Sequence, residues 1–203
     1  MLKRRSVLGV AAGALLLAAC QEQTQTPPKA PGHVGKGELA IPTDWNAQSM
    51  YEGFEKSGTG VEFASQNNRP KAFVAFDCQS PESMRLLEQA YPLRDKVNFV
   101  WLPVAVLNPY SEPQGAAILA AINRPEMLER QYKQFKNTPV QGIVTDTMVL
   151  PFDKREAVWT NTRIFRLSGA RDVPFGVMKT SQGEFRPITA AMTTADLEKL
   201  FGL

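Results

Sequence analysis

The hydrophobic and polar positions divide the chain into three parts. An apolar run covers residues 7–19, a polar stretch rich in Pro and Gly follows at residues 21–41, and patterned apolar positions fill residues 42–203. The first part is typical of a signal peptide, the second of a flexible tether, and the third of a folded domain. We therefore expect a signal peptide at residues 1–19, a tether at 20–41 and one domain at 42–203.

Short apolar runs rich in β-forming residues predict buried strands at residues 71–77 and 97–104. Two further runs flank Ser181-Gln182-Gly183 and predict a closing hairpin with strands at 174–178 and 184–188. Apolar spacing and capping residues predict helices over residues 44–56, 81–91, 111–122, 124–135, 154–167 and 193–201.

The order of these elements is strand, helix, strand, helical block, hairpin and helix, which predicts an α/β fold. The first two strands and their crossover helix should form a parallel, right-handed unit. The helical block at about 111–167 would be a subdomain inserted into the sheet. We expect Trp45, Tyr51 and Phe54 to pack one helix onto the sheet, and Trp101 and Trp159 to lie in the core.

The start of the chain indicates export. Three basic residues precede an apolar run that is too short to span a bilayer, which needs about 20 residues. The run ends in Leu17-Ala18-Ala19-Cys20, which resembles a bacterial lipobox and implies lipidation at Cys20. Gln21 after the Cys favours the outer membrane, again by resemblance. Cleavage at an ordinary site with an incidental Cys is the alternative, and Arg4-Arg5 leaves twin-arginine export open beside the general route.

The composition argues against several classes of function. The chain has 23 Lys and Arg against 20 Asp and Glu, a net charge of +3. Lys3, Arg4 and Arg5 account for that excess, so the rest of the chain is balanced, and a global attraction to nucleic acid is disfavoured. Two Cys cannot build a disulfide framework. His33 stands alone in the tether, so we expect no metal site and no cofactor.

Three passages of the domain carry a family resemblance. They are residues 73–77, residues 97–107 with 115–120, and residues 169–178. Together they resemble the periplasmic DsbC/DsbG-type thiol–disulfide proteins, which have a thioredoxin-like fold. The second passage looks more like DsbG than DsbC. The resemblance spans roughly residues 71–202, and it implies a cis peptide bond before Pro174. It also implies that Val173 offers backbone hydrogen bonds to an extended peptide.

The motif of this family departs from its usual form here. Ser80-Pro81-Glu82-Ser83 stands where the family has Cys-x-x-Cys. Thiol–disulfide exchange needs a thiolate and a resolving thiol, which a pair of hydroxyls cannot supply. No neighbouring His is available to activate a serine nucleophile. The sequence therefore predicts that the redox chemistry of the family is absent, and that Ser80 with Pro81 and Glu82 caps a helix.

Cys78 leaves a second interpretation open. Cys78-Gln79-Ser80-Pro81 could be a site with one thiol, able to form a mixed disulfide with a client but not to resolve it internally. The spacing from Asp77 instead puts Ser80 at the start of the helix. Cys78 would then be a small buried residue at the end of a strand, a common position for a free cysteine.

Three hypotheses for the function follow. The first is a lipid-anchored, redox-inactive module that binds extended polypeptide or an envelope protein beside Ser80, Ser83, Val173 and Pro174, in a chaperone or assembly role. The second is a thiol–disulfide interchange enzyme that acts through Cys78, and the third is a structural scaffold. The family dimerises through an N-terminal domain for which we see no room before residue 71, so a monomer is expected.

Overall fold

The computed structural model describes residues 41–63 and 69–203. The expected signal peptide, the lipidation at Cys20, nearly all of the tether and His33 lie outside the described residues. Within that described part, no helix is both long and apolar enough to cross a membrane.

One five-stranded sheet forms the centre of the domain, in the order β1-β3-β2-β4-β5. Its strands are β1 Val61–Glu62, β2 Lys71–Phe76, β3 Asn98–Pro103, β4 Phe175–Lys179 and β5 Phe185–Thr189. The β2–β3 pair is parallel and the other pairs are antiparallel, which confirms the predicted parallel unit and closing hairpin. The sequence did not predict β1, because two residues are too short to show an alternating pattern.

The helices follow the predicted positions, with ends shifted by up to three residues. They are α1 Ala47–Ser57, α2 Pro81–Ala90, α3 Ser111–Ala120, α4 Arg124–Gln134, α5 Phe152–Leu167 and α6 Thr194–Phe201, with a short 3-10 turn at Tyr91–Leu93. Capping residues set several of these ends. Thr193 and Asp196 form a capping box at the start of α6, and Gly169 follows α5 with a φ of 86°.

Both faces of the sheet are covered. Along β2, Val74 and Phe76 face the cluster built with α2 and α6, while Phe73 and Ala75 face the cluster built with α1 and α5. This double burial explains why the central strands are continuous apolar runs instead of alternating ones.

Helices α3, α4 and α5 lie between β3 and β4 in the chain, where the sequence predicts a helical insertion. Gly115 allows α3 to approach closely, since a Cβ at that position would lie 2.9 Å from Pro103 and 3.2 Å from Val158. The glycine thus helps dock the inserted helices against the sheet.

The two tryptophans predicted to be buried behave differently. Trp101 in β3 lies in the core, whereas Trp159 in α5 is 46% exposed, so the prediction for Trp159 was wrong. The buried face of α5 carries Val158, Thr162 and Phe165. Trp159 follows Val158 directly and therefore points about 100° away from that face.

Candidate functional site

Ser80 is the N-cap of α2, as the sequence predicted. Its Oγ accepts a hydrogen bond from the Ser83 backbone N–H at 3.0 Å, and Pro81 occupies the first helical position. The same Oγ lies 3.3 Å from the Val173 carbonyl oxygen and 3.3 Å from a Glu82 carboxylate oxygen, both of which can accept its proton. The Ser80 hydroxyl is thus hydrogen-bonded both within α2, to Ser83, and to the loop before β4, at Val173.

Ser83 is also fixed by the backbone. Its Oγ accepts a hydrogen bond from the Asp77 N–H at 3.2 Å, which links the first turn of α2 to the end of β2. Ser80 and Ser83 are both buried. The hydroxyls of Ser80 and Ser83 therefore both have structural hydrogen-bond partners at the start of α2.

The Val173–Pro174 peptide bond is cis. Pairing of Ala75 with Phe175 brings Pro174 beside the end of β2, and hence beside the start of α2. The Val173 carbonyl is engaged by Ser80, whereas the Val173 N–H donates to no acceptor within residues 41–63 and 69–203. The four predicted site residues Ser80, Ser83, Val173 and Pro174 thus lie at one end of the sheet.

Asp77 is a fully buried carboxylate between β2 and α2. Its Oδ2 accepts hydrogen bonds from the N–H groups of Val106 at 2.9 Å and Leu107 at 3.1 Å, and its Oδ1 accepts one from Gln79 N–H at 2.9 Å. Burial raises the pKa of Asp77, and these hydrogen bonds oppose that rise. The carboxylate holds the loop after β3 against the start of the site.

The raised pKa of Asp77 gives a pH prediction. Because the folded pKa lies above the unfolded one, the contribution of Asp77 to the free energy of unfolding is fully present below the unfolded pKa, about 3.9, and is lost as the pH rises through the folded pKa. We therefore expect the stability of the wild type relative to Asp77→Asn to increase as the pH falls from 7 toward 4. Urea unfolding of both chains at each pH measures this, and a difference that is constant or decreases would contradict it.

Cys78 lies in the core with no exposed surface. Burial, together with the negative charge of Asp77, raises the pKa of the Cys78 thiol well above its ordinary value. Its side chain belongs to the cluster packed between the sheet and α2. The geometry matches the interpretation of Cys78 as a small buried residue at the end of a strand.

Sequence reasoning missed the part played by Gln131. This fully buried side chain donates from Nε2 to the carbonyl oxygens of Cys78 at 2.8 Å and Gln141 at 3.1 Å, and its Oε1 accepts from the Ile143 N–H at 2.9 Å. Gln131 therefore joins α4 to the end of β2 and to the loop that follows α4.

Two further buried glutamines, Gln79 and Gln114, lie beside Gln131. We call these three residues the glutamine cluster. The Gln79 Nε2 donates to Gln114 Oε1 at 2.7 Å and to the Val140 carbonyl at 2.8 Å, and its Oε1 accepts from Asn108 Nδ2 at 2.9 Å. Glutamine side chains are mostly exposed in proteins, so the sequence holds no signal that marks these three as buried.

Three exposed apolar side chains lie on loops that hydrogen-bond to Asp77 and to the glutamine cluster. Leu107 follows the residues that Asp77 holds and is 50% exposed, as is Tyr110 three residues later. Val144 is largely exposed and adjoins Ile143, which Gln131 and Gln114 bind. We call Leu107, Tyr110 and Val144 the apolar rim.

The chemistry that this site can perform is limited by its groups. Within the described ranges, no cluster of three or more His, Cys, Asp or Glu side chains could hold a metal ion. The side chains at the start of α2 are buried hydroxyls, and the neighbouring thiol is enclosed. The Val173 N–H, which has no acceptor among the described residues, and the apolar rim are groups that can make noncovalent contacts.

The fold is that of a thioredoxin-like α/β domain, with Ser80 and Ser83 in the first turn of the helix that follows the central strand β2. No family model matches the chain, and no curated protein sequence shows significant similarity to it. Solved structures do match its fold, and their identities are low enough that the likeness concerns the fold alone.

Two similar structures cover most of the chain. A periplasmic thioredoxin-like protein from Salmonella enterica serovar Typhimurium is 12% identical with a TM-score of 0.62, and the match covers 75% of this chain and 94% of the other. The catalytic domain of Proteus mirabilis ScsC is 14% identical with a TM-score of 0.60, and the match covers 77% and 96%. These matches confirm the predicted thioredoxin-like fold.

Helicobacter pylori DsbG is also similar, at 17% identity and a TM-score of 0.51, over 65% of this chain and 61% of that one. The likeness is thus to Dsb-like thioredoxin folds in general. These matches do not show that the chain is more similar to DsbG than to other Dsb-like proteins, as the sequence had indicated.

Proposed function

We propose that this protein is a periplasmic, lipid-anchored module that binds extended polypeptide without thiol chemistry, in a chaperone or assembly role. The periplasmic assignment is supported by the export signal in the sequence and by the description of the Salmonella structure as periplasmic. The Cys20 lipid anchor is supported by the lipobox-like sequence alone. The observation that carries the proposal is the capping of α2 by the Ser80 hydroxyl where the motif has its attacking thiol.

The absence of redox activity follows from what the two serines can do. A helix N-terminus stabilises a thiolate, and a thiolate is what attacks a disulfide. A hydroxyl in the same position forms no stable bond with sulfur. Ser80 and Ser83 are instead engaged as hydrogen-bonding groups of the helix start.

The alternative, an enzyme acting through Cys78, requires that thiol to meet a client disulfide. Complete burial keeps a client away from Cys78, and its raised pKa keeps the thiol protonated. Both properties oppose mixed-disulfide formation, so we favour the binding module.

Two features support binding of extended polypeptide. The Val173 N–H has no acceptor in the part of the chain that the structure describes. It can donate to the main chain of a peptide, in the way that extended ligands use backbone hydrogen bonds. The apolar rim can cover the apolar side chains of such a peptide. Recognition of the main chain, with an apolar surface beside it, is expected to favour unfolded segments in general over any single specific sequence.

A binding experiment tests this proposal. The probe is a reduced and carboxymethylated polypeptide, which has no thiol or disulfide and so reports only noncovalent binding. We expect Leu107→Ser to weaken binding of the probe about five- to tenfold, because about half of a leucine side chain would no longer be covered. Fluorescence anisotropy of the labelled probe measures the affinity.

The matched control is Ile122→Ser, which changes a fully exposed side chain in the turn between α3 and α4. This variant should bind the probe as the wild type does. A wild-type chain that does not bind the probe would refute the proposal and favour the structural scaffold instead.

A further inference from the structure

The outward face of α5 carries large apolar side chains that no other part of the described chain covers. Phe152 is 75% exposed and Leu167, at the other end of the helix, is 78% exposed. Trp159 lies midway between them and is half exposed. The spacing of seven and eight residues places all three on one side of the helix, opposite the buried face.

Exposed charged side chains along and beside this face of α5 are segregated by sign. Asp153 and Glu156 are exposed in the first half of α5, and Arg163 and Arg166 are exposed in the second half. Glu156, Arg163 and Arg166 form no ion pair within residues 41–63 and 69–203. We call Phe152, Glu156, Trp159, Arg163 and Leu167 the α5 stripe.

The order of the α5 stripe is complementary to itself. The midpoint of α5 falls between residues 159 and 160. In an antiparallel pair of α5 helices about a two-fold axis at that midpoint, Phe152 meets Leu167 of the other copy. Glu156 then meets Arg163 of the other copy, and by symmetry each contact occurs twice.

We propose that the α5 stripe binds a second copy of this chain in an antiparallel, two-fold symmetric dimer. Each Glu156–Arg163 contact places opposite charges together on one side of the axis, whereas Asp153 already pairs with Lys154 at 2.7 Å. Trp159 of each chain lies near the axis, where aromatic side chains contribute most to interfaces. The helix dipole alone favours acids at the start and bases at the end of a helix. It does not account for three large apolar side chains left in water on the same side.

The size of the stripe sets the strength of the dimer. A helix of 16 residues is about 24 Å long, so this contact alone is smaller than a standard stable interface. The dimer should therefore dissociate on dilution. It lies on the opposite face of the sheet from α2, so it leaves the start of α2 free.

Charge reversal tests the dimer. The full chain is purified in a detergent whose density matches that of the solvent, so that the detergent does not contribute to sedimentation. Sedimentation velocity over a concentration series gives the dissociation constant. Glu156→Arg or Arg163→Glu alone turns two attractive contacts into like-charge contacts, and each should raise the constant at least about tenfold. Because the two single variants are complementary to each other, an equimolar mixture should recover dimers near the wild-type constant.

The control is Arg85→Glu, which reverses an exposed charge on α2, on the other face of the sheet. It should leave the dissociation constant unchanged. A wild-type chain that stays monomeric throughout the series would overturn the proposal. Dimers that resist both single reversals, or a mixture that fails to recover them, would also overturn it.

Discussion

A chain that carries Ser80→Cys and Ser83→Cys is expected to close a disulfide across the first turn of α2. The two positions are three residues apart at the start of the helix, and Ser80 Oγ already lies 3.0 Å from the backbone N of Ser83. The helix N-terminus would lower the pKa of a thiol at position 80. We expect mass spectrometry of the oxidised variant to find this internal disulfide, which the wild type cannot form because it has no thiol at either position.

The control for this experiment is Ser80→Cys alone, which provides an attacking thiol without a resolving one. It should form no internal disulfide, as judged by mass spectrometry. A disulfide between the new Cys at position 80 and Cys78 in the double variant would show that the register at the start of α2 is wrong.

The variant Gln131→Leu is expected to destabilise the domain by about 2–4 kcal/mol. Leucine fills nearly the same volume but bonds to nothing, so the Cys78 carbonyl and the Ile143 N–H lose their partners in the interior. Unpaired buried groups of this kind are costly because neither water nor another group replaces the bond. Urea unfolding monitored by circular dichroism measures the change in the free energy of unfolding.

Gln134→Leu is the matched control on the same helix. Gln134 is only partly buried, and its side chain makes no hydrogen bond with the described residues. This substitution should change the free energy of unfolding by less than about 0.5 kcal/mol. Equal losses in the two variants would mean that the glutamine cluster does not stabilise the loop after α4.

The parts of the fold that the sequence predicted are those with strong local signals. The strands at 71–77 and 97–104 are buried on both faces, so each is a continuous apolar run. Helix α2 begins where Ser80 and Pro81 indicate, because capping depends on a few neighbouring residues. The two-residue β1 has no such signal, since its pairing with β3 is set by tertiary contacts.

The sequence predicted which residues lie together at the site, but not the buried side chains that surround them. The resemblance placed Ser80 and Ser83 near Val173 and Pro174, and the structure brings them together. The burial of Gln131 depends on contacts with a loop ten or more residues away, which no local pattern encodes. Trp159 shows the converse, because a large aromatic residue was expected inside and lies half exposed on α5.

The reactivity of Cys78 tests the central claim most directly. In the full chain carrying Cys20→Ser, under native conditions, the Cys78 thiol should react with Ellman's reagent at least about 1000-fold more slowly than an exposed cysteine, and fully once the chain is unfolded. Val144→Cys supplies the exposed comparison in the same chain, because Val144 is largely exposed. Rapid native labelling of Cys78, with a pKa below that of an ordinary thiol, would contradict the account and indicate a thiol enzyme.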